Sequence, residues 1–130
     1  MKIYTTVGLS MLAGAVLGAG AIQGLRAQAK PPAFVIAEIS VSNPDAFAKE
    51  FAPLATKALG ASDSGYKSLA RGGKVVTIEG DAAPNRIVIN QFTDMDKAIA
   101  AYASADYKAA RVIGDKYAKF RLIAVEGLPQ

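Results

Sequence analysis

Five side chains in this sequence carry groups able to do chemistry in a setting that calls for an account: Glu38, Arg71, Asn90, Tyr102 and Tyr107. Glu38 interrupts the apolar run Phe34-Val35-Ile36-Ala37-Glu38-Ile39. A carboxylate there is costly unless paired or hydrated, so it reads as a general base of raised pKa, as a partner for a ligand, or as one half of an ion pair. Arg71 precedes Gly72-Gly73. It reads as an anion clamp at the mouth of a cleft or as a hairpin arginine bonded to carbonyls or a carboxylate. Asn90 and Gln91 are neighbours in a strand-like run and must point to opposite faces, so only one can line a cleft; the expectation is Asn90, together with Glu38. Tyr102 and Tyr107 offer phenols, either as proton donors or as packing rings with the hydroxyl at a rim.

Composition removes most other chemistry. The 130 residues include no Cys, no His and no Trp. No disulfide can form, no thiolate can attack, and no imidazole can serve as base, haem ligand or zinc ligand. Serines have no His partner, so a catalytic triad is excluded. The turn glycines Gly72, Gly73 and Gly80 stand in no G-x-G-x-x-G or phosphate-loop pattern. Asp94, Asp96, Asp106 and Asp115 lack the spacing of a calcium loop. The expectation is therefore no resident cofactor and no metal. With 52% hydrophobic and 20% charged residues the chain is too apolar for a disordered protein.

The first 29 residues read as an address rather than as fold. Lys2 supplies a positive start, Val7 to Ile22 carries no charge, and Ala27-Gln28-Ala29 is a small-x-small end. These are the three parts of a secretory signal, with cleavage expected after Ala29 and export to the periplasm or medium. The apolar run is a little short of the roughly 20 residues that a spanning helix needs. The alternative is an uncleaved N-terminal membrane anchor, and only in that case is a membrane expected as a partner. From Lys30 onward there are 13 basic and 11 acidic residues, scattered rather than clustered, so no nucleic-acid partner is expected.

Residues 30–130 then form one domain. Phe34 to Val41 is dense in β-branched residues and reads as a strand. Asn43-Pro44-Asp45 is a helix start, and Phe47, Phe51, Leu54 and Ala58 make an apolar stripe, with Pro53 expected to kink or break it near Ala52. Tyr66–Arg71 is a second strand. Gly72-Gly73 is a two-residue turn with both φ positive, and Lys74–Glu79 is the returning strand. Arg86–Phe92 is the third main strand. Thr93-Asp94-Met95-Asp96 has a capping-box pattern and opens a helix with Met95, Ala98, Ile99 and Tyr102 on one side. Ser104-Ala105-Asp106-Tyr107 restarts helix, with Ala110, Ile113 and Tyr117 inward, and Phe120–Glu126 is the last strand.

The order β-α-β-β-α-β is the ferredoxin-like plan, class α+β: a four-stranded antiparallel sheet with both helices on one face. The other face has no cover within the chain, yet Phe34 and Ile36 in one strand and Ile87 and Ile89 in another make both faces substantially apolar. At roughly 25 cal/mol per Å2, leaving such a face in water forfeits several kcal/mol. The expected partner is a second copy, the two open faces stacking into a homodimer; the alternative is a monomer with a loop or terminus folded over the sheet.

The residues also resemble a known family. Phe34–Ile39 with Asn43-Pro44-Asp45-Ala46-Phe47 is similar to the opening of the bacterial domain of unknown function 1330. Leu69-Ala70-Arg71-Gly72-Gly73 with Glu79-Gly80 resembles its central hairpin, Arg86–Phe92 its third strand, and Ser104–Tyr107 and Val125-Glu126-Gly127 its closing helix and strand. The resemblance implies a dimeric α/β-barrel of ferredoxin-like subunits, in a family whose biochemical role is unsettled. Two positions depart from the family pattern: Gln91 stands where an acid is common, and Gly114 where Arg is common. The leading expectation is an exported homodimer binding a small, partly apolar molecule in a cleft between sheet and helices. The alternatives are a cofactor-free monooxygenase or isomerase, with Glu38 as base and Arg71 or Asn90 steadying an oxyanion, and a structural or stress-related periplasmic dimer without ligand.

Overall fold

Strand β1 (Ala33–Val41) is built by strict alternation. Ala33, Val35, Ala37 and Ile39 are buried on one face, while Phe34, Ile36 and Glu38 are half-buried on the other. The computed structural model describes residues 30–61 and 63–130; the expected signal, residues 1–29, lies outside the described residues, with its cleavage site. The chain leaves β1 at Asn43, whose Oδ1 accepts from the Ala46 N–H at 3.2 Å, and Pro44 supplies the first helical φ.

Helix α1 runs through three consecutive stretches: Pro44–Ala46, a π-helical turn Phe47–Phe51, and Ala52–Ala61. The Ala52 N–H bonds the Phe47 carbonyl, one residue further back than an α-helix allows. Pro53 lacks an N–H and its ring would meet the carbonyl four residues back, so the wide turn before it absorbs the mismatch without breaking the helix. The extra residue in that turn rotates the remainder of the helix about its axis. The buried stripe runs Phe47, Phe51, Ala55, Ala58 and Leu59, and Leu54, expected inside, is 44% exposed.

After the turn at Gly65 (φ 66°) comes β2 (Lys67–Arg71), which pairs directly with β3 (Arg86–Phe92) through a bulge between Ser68 and Ala70. The expected returning strand Lys74–Glu79 is not formed; residues 72–85 are a connection without regular structure. Gly72 has positive φ (72°) but Gly73 does not, so there is no two-residue hairpin turn. β2 pairs with β3 instead, and the outer edge of β2 stays open at the margin of the sheet. A strand pattern gains stability mainly from the side chains it buries, and Val76 and Ile78 stand 65% and 96% exposed. The connection is tied down at its end by Asn85, which accepts from the Val41 N–H and donates to the Val41 carbonyl, both at 2.9 Å.

Helix α2 (Met95–Ala103) is capped by Asp94, whose Oδ1 accepts from the Lys97 N–H at 2.8 Å. Helix α3 (Ala105–Gly114) is capped by Ser104, whose Oγ accepts from Tyr107 N–H at 3.2 Å. Their inner residues are Ala98 and Ala101, then Tyr107, Ala110 and Gly114; Ile99 is 59% exposed and Tyr117 lies beyond the helix end. Strand β4 (Ala118–Glu126) closes the sheet, whose order is β2-β3-β1-β4 with every pairing antiparallel. This is the ferredoxin-like α+β fold, with the hydrophobic core between one face of the sheet and the helices. Among the described residues no helix is long and apolar enough to cross a membrane.

Candidate functional site

The register decides which side chains meet. Opposite residues in an antiparallel pair share a face. Val35 lies opposite Asn90, Ala37 opposite Val88, and Ile39 opposite Arg86, so Arg86, Val88, Asn90 and Phe92 all face the helices. Ser68 lies opposite Asn90 and Arg71 opposite Val88, which brings them to the same face. Glu38 lies opposite Ile87 and Arg121 and is on the other face, where Arg121 donates to its carboxylate. The expected grouping of Glu38 with Asn90 is therefore corrected: alternation within each strand was right, but which faces coincide across strands depends on register, which a single strand does not reveal. Of the five candidates the structure brings together Arg71, Asn90, Tyr102 and Tyr107, and separates Glu38 as half of an ion pair.

The four surround a cavity of about 50 Å3 between the sheet and the helices. Its floor is Ala37, Val88 and Leu122. Its helical wall comes from Phe47, Phe51, Ala52 and Ala55 of α1, with Tyr102 and Tyr107 contributed by α2 and α3. The aromatic rings brace one another: Phe47 and Phe51 are 5.0 Å apart, Phe51 meets Phe120 edge-on at 5.2 Å, and Tyr102 meets Tyr107 edge-on at 4.8 Å.

Set into this apolar lining is a small polar group. Asn90 is 3% exposed and its Nδ2 donates to the Tyr102 hydroxyl at 2.9 Å. Its Oδ1 is buried and has no hydrogen-bond partner among the described residues, and neither has the buried Oγ of Ser68 across the strand pair. Turning the amide over would only exchange which of its atoms is orphaned. Burial pushes the Tyr102 phenol well above the usual tyrosine range, against the opposing pull of the Asn90 hydrogen bond, so it remains a neutral donor at any physiological pH. Tyr107 is also raised by burial, with Arg111 pulling the other way.

Two guanidinium groups line the same cavity. Arg71 donates to Thr56 Oγ1 at 3.1 Å, and that hydroxyl donates to the Ala52 carbonyl at 2.9 Å, so the end of β2 is tied to α1. Arg86 lies over the Phe47 ring, 5.1 Å from its centroid, and its Nε is buried without a hydrogen-bond partner among the described residues. Burial lowers the Arg86 pKa, and the nearby positive charge of Arg71 lowers it further. Gly72 makes room for this pair: a Cβ there would stand 3.2 Å from the Arg86 guanidinium, besides being strained at positive φ. Arg86, Thr56 and Ser68 were not picked out from the sequence. The available signal was the two-residue spacing Arg86, Val88, Asn90, Phe92, which puts Arg86 on the same face as Asn90.

Among the described residues no cluster of His, Cys, Asp or Glu could hold a metal ion, and the cavity lining carries no carboxylate. What the arrangement offers is an apolar, aromatic enclosure with neutral hydrogen-bonding groups at its base and two cations on its wall.

Comparison with solved structures gives the fold at low identity. SnoaB, a cofactor-independent oxygenase from Streptomyces nogalater, superposes with a TM-score of 0.56 at 14% identity over 77% of this chain and 96% of its own. A putative antibiotic biosynthesis monooxygenase from Caulobacter crescentus CB15 gives 0.57 at 18% identity, covering 77% and 92%. An ethyl tert-butyl ether d (ethd) family protein from Bacillus halodurans gives 0.51 at 17% identity, covering 75% and 99%. No curated protein matches the chain. The family model for the domain of unknown function DUF1330 matches residues 32–128, which is the whole of the sheet and its helices, and the chain belongs to that family.

Proposed function

We propose that this is an exported, homodimeric protein that binds a small, partly apolar molecule in the cavity between its sheet and its helices. The observation that carries the binding site is Asn90: a buried amide with an orphaned oxygen, set into an aromatic, apolar cavity beside a neutral phenol. A buried unsatisfied polar atom costs stability, and a ligand's hydrogen-bond donor would remove that cost. The dimer is supported by the uncovered sheet face. Ile123 and Val125 are 41% and 51% exposed there, next to half-buried Ile36, Ile87 and Ile89, with the Glu38–Arg121 pair in their midst. Export is supported by the three-part N-terminal segment of residues 1–29.

The experiment is native mass spectrometry of the protein purified from its own host. The expected spectrum is a dimer of chains beginning at Lys30 that retains a small molecule. A chain still beginning near Met1 refutes cleavage. A monomer in light scattering at micromolar concentration refutes the dimer, and a chain without ligand leaves a structural role in its place.

A second reading is favoured by one observation. Tyr102, kept neutral by burial and bonded by Asn90, would serve as a donor to a developing oxyanion, the kind of group a cofactor-free oxygenation or isomerisation requires. SnoaB, of the same fold, is a cofactor-independent oxygenase. In this reading Glu38 is not the base, since it lies across the sheet, and no carboxylate lines the cavity. Turnover would then require a substrate acidic enough to ionise without one.

A further inference from the structure

We infer that the molecule held in this cavity is a compact organic carboxylate, its anionic head bound by Arg71 and Arg86 and its apolar body enclosed by Phe47, Phe51 and Ala55. The inference rests on the proposal that the cavity binds a small molecule, and adds its charge and size.

The charge follows from how the chain uses its arginines. Four lie among the described residues. Arg111 is paired with Asp115 at 3.1 Å, and Arg121 with Glu38. The other two, Arg71 and Arg86, have no carboxylate within ion-pair distance among the described residues, and both line the same cavity. Their neighbours are neutral: a threonine hydroxyl for Arg71, and an aromatic face for Arg86. Two like charges brought together in a partly buried site repel, and the buried Arg86 Nε adds an unmet donor. An anion removes both costs, and a carboxylate presents two acceptor oxygens to a guanidinium fork.

The rest of the ligand follows from the walls. Beyond the two arginines they are aliphatic and aromatic apart from the Asn90 amide and the hydroxyls of Thr56, Tyr66, Tyr102 and Tyr107, so an inorganic anion would leave most of the enclosure unfilled. The space of about 50 Å3 corresponds to roughly three to five water-sized positions at ~10–15 Å3 each, which suits a short or branched aliphatic acid rather than a polycyclic one. Asn90 and Tyr102 at the base can meet one further polar atom on such a molecule.

The test is calorimetric and NMR titration of the full chain with three probes: isovalerate, its neutral isostere isovaleramide, and inorganic phosphate. Isovalerate is expected to bind at least tenfold more tightly than the amide and than phosphate, and to shift the Asn90 side-chain amide resonances. Its binding should weaken as salt is raised, and as pH falls through the carboxyl pKa, about 4.3 for an aliphatic acid of the glutamate type. Arg71→Gln and Arg86→Lys separate charge from folding. The first, at an exposed edge position, should remove most of the preference for the acid over the amide; the second should retain it in part. Equal binding of acid and amide with Asn90 shifts overturns the anion inference and leaves the cavity as a binding site. Binding of isovalerate with no change at Asn90, or no binding of any probe, overturns both.

Discussion

Replacing Asn90 with leucine separates a group kept for binding from a group kept for folding. In the subunit Asn90 makes one side-chain hydrogen bond, to Tyr102, and leaves Oδ1 buried without a partner. The bond contributes about 1 kcal/mol net, while an orphaned buried acceptor costs about 1–3 kcal/mol. Leucine has a similar shape and puts apolar atoms against Val35, its neighbour across the strand pair. Asn90→Leu also leaves the largely buried Tyr102 hydroxyl without its partner, which offsets the gain from removing Oδ1, so stability is expected to stay within about 1 kcal/mol of the parent. For a domain of about 100 residues each kcal/mol moves Tm by about 4–8 °C. Tyr102→Phe alone goes the other way: it strips the amide of its only partner and should cost about 1–3 kcal/mol. The double variant, with both polar partners gone, should return to the wild-type value or above it. Urea unfolding followed by far-UV circular dichroism reads all three, with an unchanged m-value as the check on two-state behaviour. The same Asn90→Leu protein should lose the molecule retained from its host. A loss of more than about 1 kcal/mol in Asn90→Leu would show that the amide holds the fold together, and the reasoning from its orphaned oxygen would fail.

Gly114→Ala should destabilise by about 1–3 kcal/mol through overpacking, because a Cβ there would stand 2.7 and 2.9 Å from the Phe51 ring and 3.1 Å from Phe120; thermal unfolding measures it. Stability should fall as pH rises above about 10. Tyr102 and Tyr107 have raised pKa values in the folded chain, so the unfolded chain loses their protons first, and Tyr102→Phe should reduce the alkaline slope by up to about 1.4 kcal/mol per pH unit. Glu38→Gln should cost less than about 1 kcal/mol in the isolated subunit, since its partner Arg121 is 68% exposed, and should leave ligand retention unchanged because the residue lies on the opposite face of the sheet.

The parts of this molecule that could be read from its sequence are those fixed by local chemistry. Asn43-Pro44, Thr93-Asp94 and Ser104 announce helix starts because a side-chain oxygen two or three residues before a free N–H is a local arrangement; Asn43 and Ser104 are caps in the structure, and in the second helix the cap is Asp94, one residue after the Thr93 of the capping-box pattern. Strand β1 and strand β3 are legible because alternation is local too. What could not be read depends on partners distant in sequence. Lys74–Glu79 alternates like a strand, but β2 pairs with β3 instead and the segment stays outside the sheet with its apolar residues exposed. Glu38 and Asn90 both lie mid-strand among apolar residues, but the register Glu38–Ile87 and Val35–Asn90 sends them to opposite faces. Arg86 opens β3, and only its opposite number on β1, Ile39, places it over the cavity.

The cavity itself originates in the single extra residue of the π-helical turn. Without it, the spacing from Phe47 and Phe51 would bring Leu54 inward; with it, Leu54 is 44% exposed and Ala52 and Ala55 face the sheet. Opposite them on β1 is Ala37, so three alanines meet where larger residues would close the core, and Arg71 and Arg86 occupy the rim of the space so left. Pro53 holds this in place, because a regular α-helix through Phe47–Phe51 would drive its ring into the preceding turn. The consequence can be measured with Ala55→Val. Each additional buried methyl or methylene contributes about 0.8 kcal/mol where it fills existing space, less about 0.5 kcal/mol for a β-branched residue in a helix. The variant should thus be as stable as the parent or up to about 1 kcal/mol more stable, while ligand retention is lost. A marked loss of stability with retention intact would mean that the space beside Ala55 is already filled by the protein and that the ligand sits elsewhere.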